Sequence, residues 1–294
     1  MRGSIVLVAI LLLSSARAEQ PPADTVPKVS ATIVVTPTRS VRLLGDLPVS
    51  TTVIGQNELE DVPVTFVDEL LRAVPGIQMN LSGGASTFTS GQRLSMRGLG
   101  GQRALVMVDG IPIHDAYDGT IQWQKVPFDS LRQIEVVRGG AASLFGNFAL
   151  GGTINMLTQR VNDSAVRLDL LSASSSTTRG AMTVDQKIAD TLGLRVSYDR
   201  FNSNGYDRVP NPGPVDIDGW NDSWNAGVRA DYDPIEATHA FVNVNRSDIR
   251  LSQGTAISVE SHEITDVSAG FEHAPSASGL LTLSAYHRSQ DQEA

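Results

Sequence analysis

The spacing of apolar and polar positions divides this chain into zones. Beyond residue 161 the two types alternate one by one: Val166, Leu168 and Leu170 against Arg167 and Asp169, then Leu192, Leu194, Val196 and Tyr198 against Arg195, Ser197 and Asp199. Trp224, Ala226, Val228, Ala230 and Tyr232 alternate with Asn225, Gly227, Arg229 and Asp231. Ala240, Val242 and Val244 lead a further run, and Val267, Ala269 and Phe271, then Leu281, Leu283 and Ala285, continue it. A period of two sends alternate side chains to opposite faces of a strand, so about seven strands are expected between 161 and 294.

Residues 45–160 read differently, as one compact α/β domain. Val67, Leu70, Leu71 and Val74 recur at i, i+3, i+4 and i+7, which predicts a helix with one apolar face. Thr65 is the expected cap, Asp68 sits in the first turn where the positive dipole end favours it, and Pro75-Gly76 stops the helix. That stripe reads as core. Gln92 to Gly98, Ala104 to Asp109 and Gln133 to Arg138 read as strands, and Asp109-Gly110 between Val108 and Ile111 is a tight-turn pair. From Leu131 to Met156 the order is strand, glycine turn, short helical turn and second strand, punctuated by Gly139, Gly140, Gly146, Gly151 and Gly152.

The first residues bear on the compartment. Arg2, the apolar run Ile5 to Leu13 and the small-x-small site Ala16-Arg17-Ala18 describe a cleaved secretory signal over 1–18, too short to span a bilayer. Residues 19–30 are polar and hold Pro21, Pro22 and Pro27, as a flexible lead-in does. Ala31-Thr-Ile-Val-Val-Thr-Pro-Thr-Arg39 follows, β-prone but interrupted by Pro37. Proline bars it from a central strand and leaves two readings, a first strand of the next domain or a strand lent to a partner's sheet edge.

Charge and candidate chemistry narrow the picture. The formal net charge is −9, and loss of residues 1–18 would remove Arg2 and Arg17 and no acid, which argues against a nucleic-acid partner. With no Cys there is neither a disulfide framework nor a thiolate metal site. Gly98-Leu-Gly-Gly101 lacks a following helix pattern, and the sequence signatures of hydrolases, zinc proteases and nucleotide-binding loops are absent, so no enzyme, cofactor or catalytic residue is expected. The five His are scattered. His114, Asp115 and Asp118 offer ligands for a cation, and a solvated polar loop is the competing reading. The alternating strands also fit two settings. A sandwich alternates, but aromatic ends at Trp224 and Tyr232 with charges opposite suit lipid outside and water inside. Short turns near Ala189-Asp190 and Asp233-Pro234, against the long Gly205 to Asn221 segment, match the turn and loop asymmetry of outer-membrane barrels.

Four motifs in order and register, Leu71-Arg-Ala-Val-Pro-Gly76, Ser95-Met-Arg-Gly98, Leu105-Val-Met-Val-Asp-Gly-Ile-Pro112 and Ile134-Glu-Val-Val-Arg-Gly139, resemble the plug domain of TonB-dependent outer-membrane receptors. The resemblance implies an α+β plug domain at 45–160 followed by antiparallel transmembrane β-barrel strands at 161–294, in the outer membrane of a Gram-negative bacterium. About seven strands fall short of the roughly 22 of plugged transporters, so the barrel is expected to be incomplete in this chain, a fragment or truncated product. The segment 19–44 resembles a leader carrying the TonB box, placed at Thr32, Ile33, Val34, Val35, Thr36, Pro37 and Thr38, with Ala31 where the family has an acid.

From the same resemblance follow the expected partners: the inner-membrane energy-coupling protein TonB, outer-membrane lipid and a small-molecule nutrient such as an iron-siderophore or corrinoid. Arg97 and Arg138 are expected to latch plug to barrel by pairing with wall carboxylates. Met79 to Thr89 and His114 to Gln124 are expected at the apex, with Tyr117 and Trp123 as candidate ligand contacts. Two rivals stand beside active transport: a passive plugged porin, and a soluble periplasmic plug-like binding protein.

Overall fold

The helix expected over Val67, Leu70, Leu71 and Val74 forms as α2, Val67–Arg72, which ends before Val74 and before the expected Pro75-Gly76 stop, and all four side chains are buried. The cap is not Thr65. Phe66 occupies that position in extended backbone without a side-chain bond, and the Thr65 N–H donates instead to the Glu69 carboxylate at 3.2 Å. Phe66 is itself 3% exposed, so packing rather than capping fixes the start of this helix. A short helix that periodicity does not reveal, α1 (Gln56–Asp61), precedes it and buries only Leu59.

The computed structural model describes residues 33–34, 42–43, 49–79, 92–99, 103–115, 119–140, 145–207, 209, 211–276 and 279–293, all within the compact unit Thr32–Ala294. The expected signal and lead-in, most of the 32–38 segment, the loop 80–89, Tyr117 and Asp118 lie outside the described residues. Near the start, β1 (Ile33–Val34) pairs antiparallel with β2 (Arg42–Leu43).

The α/β domain is built on a five-stranded mixed sheet. Its strands are β3 (Ser50–Gly55), β6 (Ala104–Val108), β7 (Ile111–Pro112), β8 (Leu131–Arg138) and β9 (Gly152–Thr158), in the order β3-β8-β9-β6-β7. The β6–β9 pair is parallel and the other neighbours are antiparallel. β4 (Ile77–Met79) and β5 (Leu94–Met96) form a separate pair, shorter than the strand expected from Gln92, which contributes an isolated bridge to Ile121. The Asp109-Gly110 turn closes β6 on β7 with positive φ at both positions, 48° and 78°. Gly152 is demanded by its surroundings: at φ 147° a Cβ there would stand 2.2 Å from the Val137 carbonyl oxygen.

The strands after residue 161 make one open sheet in sequence order: β10 (Ala165–Ala173), β11 (Thr177–Ala189), β12 (Leu192–Ser203), β13 (Asn221–Ile235), β14 (Thr238–Ser252), β15 (Val259–Ser276) and β16 (Gly279–Glu293). Register ties β11, which the alternating runs named above do not include, to its neighbours. Val166, Val184, Val196, Val228, Val244 and Val267 stand opposite one another in a single row across six strands. Connections at 190–191 and 236–237 are short and leave from one end of the sheet; 174–176, 204–220 and 253–258 leave from the other.

The sheet is inverted relative to a water-soluble one. Val166, Leu168 and Leu170 are 70%, 66% and 73% exposed, while Arg179, Arg195, Arg229 and Asp231 on the opposite face are buried against the α/β domain. Exposed apolar rows of this extent cost free energy in water at about 25 cal/mol per Å² and cost nothing in hydrocarbon. Among the described residues no helix is long and apolar enough to cross a membrane, which says nothing of strands.

Candidate functional site at the seam between domain and wall

Two arginines that the sequence singles out meet at one corner of the α/β domain. Arg138, at the end of β8, donates through Nε to the Pro75 carbonyl at 2.7 Å, through Nη1 to Ser50 Oγ at 3.1 Å and through Nη2 to Thr52 Oγ1 at 2.5 Å. The Arg97 N–H donates to the Gly76 carbonyl at 3.0 Å, and Arg97 itself takes a left-handed φ of 53°. Pro75 and Gly76 lie in the turn just past α2, so both arginines fasten that turn rather than the helix itself. The described bonds of Arg138 run within the domain and join strands β3 and β8 to the turn that follows α2. Arg97 is exposed, and a Cβ on Gly139 would lie 3.6 Å from its Nη1, so the two Arg-Gly motifs are neighbours.

The charged ties that cross from domain to wall run both ways: Arg160, at the end of the domain, lies 3.5 Å from Asp233 and 3.2 Å from Glu272 of the wall, and domain acids meet wall arginines. Asp109 sits in the tight turn and accepts from the Thr158 N–H at 2.9 Å and the Thr158 hydroxyl at 2.7 Å. Its second oxygen also accepts from Arg229 Nη1 of β13 at 2.8 Å. Arg229 is held from the other side by Asp231, and its guanidinium carbon lies 4.2 Å from the Phe241 ring centroid. Asp129 pairs with Arg179 of β11, which also lies 3.2 Å from Asp169 and 2.7 Å from Asp199. Asn225 donates to the Gln124 carbonyl, and the Phe66 and Phe201 rings meet edge to face at 5.0 Å. These partners were missed because periodicity marks Arg229 and its like as inward-facing without saying what they face.

Of the expected apex residues, those described turn inward, to the domain core or to the wall. Trp123 is 1% exposed within the domain core, in a short 3-10 turn Trp123–Lys125, so it packs rather than presenting a ligand surface. A large amphipathic side chain carries more burial energy than any neighbour in that loop, and here burial wins. His114 cannot serve a cation in this arrangement. Its Nε2 accepts from the Val106 N–H at 2.9 Å, and Nδ1 donates to the Gly119 carbonyl at 3.1 Å. Asp115 accepts from Gln290 of β16, and Arg288 of the same strand donates to the His114 carbonyl at 2.7 Å. Among the described residues no group of three or more His, Asp or Glu is placed to hold a metal ion.

Between domain and wall lies a cavity of about 90 Å³, bordered by Asp109, Lys125, Ser197, Arg229, Asn245 and Arg288 among others. Lys125 is 5% exposed and its Nζ has no hydrogen-bond partner. Burial pushes its pKa down to about 7, with Arg288 adding to the fall and Asp266 and Asp115 opposing it. A seam of paired charges is a contact that can be taken apart. Its groups find water on separation, unlike a jigsaw of apolar side chains.

Residues 44–153 match the family model of the TonB-dependent receptor plug domain. The chain is 32% identical over 150 residues to a vitamin B12 transporter BtuB of Vibrio vulnificus, covering 51% of this chain and 24% of that protein. It is 28% identical over 215 residues to a vitamin B12 transporter BtuB of Vibrio cholerae, covering 71% of this chain and 33% of that protein. Its fold resembles the ferric yersiniabactin uptake receptor FyuA from Yersinia pestis, with a TM-score of 0.65 at 21% identity over 83% of this chain and 41% of that one. The chain thus spans about a quarter to a third of the length of the curated relatives it matches.

Proposed function

We propose that this chain, whose residues 44–153 match the plug-domain model of TonB-dependent receptors, belongs to a receptor of that family and acts in energised uptake of a scarce nutrient across a Gram-negative outer membrane. The observation that carries this reading is the inverted sheet: a row of valines outside and an ion-paired plug seam inside. A soluble periplasmic protein would leave that row in water, which disfavours one rival. Corrinoids are the first substrate class to test, because the named curated relatives are vitamin B12 transporters.

In this reading an external ligand binds at the plug apex and the barrel loops, and binding favours a state in which Thr32 to Thr38 is offered to the periplasm. The ligand must bind that state better than the resting one, or no signal crosses. TonB, energised from the inner membrane, adds the segment to its own sheet edge and pulls. Ile33–Val34 is paired with Arg42–Leu43 at rest, so capture replaces or extends a short ribbon that already exists. Force on the leader then reaches a plug held to its wall by Asp109–Arg229 and Asp129–Arg179, pairs that water can solvate as they part. Arg97, exposed at its strand end, keeps the proposed role of meeting a wall carboxylate.

The test is uptake of radiolabelled cyanocobalamin, and of ferric siderophores in parallel, by Gram-negative cells that lack their own receptors and express the protein in its outer membrane. Uptake abolished by an uncoupler supports the reading. Uptake indifferent to the uncoupler identifies the passive porin instead.

A further inference from the structure

The residues around His114 form a contact that admits only the neutral imidazole. A backbone N–H is a donor without alternative, so the Val106 N–H···Nε2 bond at 2.9 Å requires an unprotonated Nε2 and leaves the proton on Nδ1, where Gly119 accepts it. The same residue's carbonyl takes Arg288 from β16, Asp115 takes Gln290, and the ring lies 6.0 Å from that of Phe148. His114 therefore joins three things: strand β6, its own turn, and the wall. Arg288 and Gln290 stand in the part of β16 remote from its short turn, toward the end of the sheet with the longer connections.

We propose that His114 is a positioning residue whose protonation unseats this part of the plug from β16, so that the plug–wall contact is pH-sensitive. The imidazolium has a proton on each nitrogen, so it turns the Val106 N–H···Nε2 bond into an opposition of two donors. Its new charge faces Lys125 from the 3-10 turn and Arg288 from β16. The acids in reach are already engaged, Asp266 by Arg288 and Asp115 by Gln290. The sign agrees with the environment: burial above all, then Lys125 and Arg288, outweigh the Gly119 bond and hold the imidazole below its usual 6.5. A group depressed in the folded state contributes stability above 6.5 that is lost as pH falls through its folded value, so release belongs to mildly acid conditions. The contact itself is independent of what is transported; only its description as a receptor's plug rests on the proposed function.

The chain has no cysteine, so one placed under the plug reports on seating. Ser268 of β15 borders the cavity, and Ser268→Cys in the membrane-embedded protein can be labelled by a water-soluble maleimide between pH 8 and pH 5. His114→Gln is the control, since an amide both accepts from Val106 and donates to Gly119 without titrating. The ratio of labelling rates, parent over H114Q at each pH, is expected to be near one at pH 8 and to rise severalfold toward pH 5. A ratio that stays flat across the range overturns the proposal, whatever the uptake assays show. Should H114Q not assemble, nitrogen chemical shifts of labelled histidine decide: a neutral Nδ1–H ring at pH 6.5 supports it, and an imidazolium there overturns it.

Discussion

Asp109 and Arg229 bind each other at 2.8 Å across the plug–wall seam, although 120 residues separate them in the chain. Neither is committed to the other alone: Asp109 also closes the plug turn through Thr158, and Arg229 is also held by Asp231. The seam is thus a contact between two groups that are each pre-positioned by their own domain. Arg229→Met leaves Asp109 and Asp231 without their cation, and loss of one partner of a buried pair costs about 3–5 kcal/mol. Thermal unfolding in detergent is expected to show a lowered midpoint for R229M, and a smaller loss for Asp109→Asn, which keeps a hydrogen-bonding side chain at that position.

Arg138 tests the corner of the plug. Its three donors go to Pro75, Ser50 and Thr52, a spread that one ammonium cannot cover. Arg138→Lys is expected to lose about 1.5–3 kcal/mol of stability per hydrogen bond abandoned by the charged group. If Arg138 acts as a wall latch instead, R138K would leave plug stability unchanged and alter only the plug's attachment, which protease nicking of the plug in the assembled protein would separate.

Gly152 allows the parallel β6–β9 pair to approach β8 and Met96. A Cβ would stand 2.2 Å from the Val137 oxygen and 2.5 Å from Met96 Sδ, on a backbone at φ 147° that L side chains rarely adopt. Gly152→Ala is expected to destabilise the plug by at least the ~1–3 kcal/mol typical of overpacking, seen as loss of folded yield or a lowered midpoint. Gly110→Ala in the turn, where no atom lies within 4 Å of the added Cβ, should cost less.

Lys125 makes stability rise with pH. Its folded pKa of about 7 lies below the ordinary 10.5, so the unfolded chain binds the extra proton between those values. The cost of the buried ammonium is present in full below about pH 7 and fades as pH approaches 10.5. Lys125→Met is expected to melt above the parent at pH 7, with the gap closing toward pH 10. A gap independent of pH would show that Lys125 does not titrate there.

The parts of this structure legible in the sequence are those governed by local periodicity. The stripe Val67 to Val74, the Asp109-Gly110 turn and the alternation around Val228 and Val244 each reappear as helix, hairpin and strand, because one face of each element had to be apolar. The plug–wall partners were not legible. Asp109 was readable as a turn residue and Arg229 as an inward-facing charge, but pairing across 120 residues depends on how two domains meet. Trp123 misled for a related reason: an aromatic in a polar loop offers contact area equally to a ligand and to a core, and only the wall beside it decides.

Energised uptake through the Thr32 to Thr38 segment, proposed above, is tested most directly by removing that segment. Cells expressing the protein in its outer membrane, with and without residues 32–38, are to be compared for surface binding and for uptake of cyanocobalamin, with ferric siderophores in parallel. Binding retained and uptake lost on deletion is the predicted result. Uptake undiminished by the deletion would contradict it and make the protein a plugged channel that needs no partner to open.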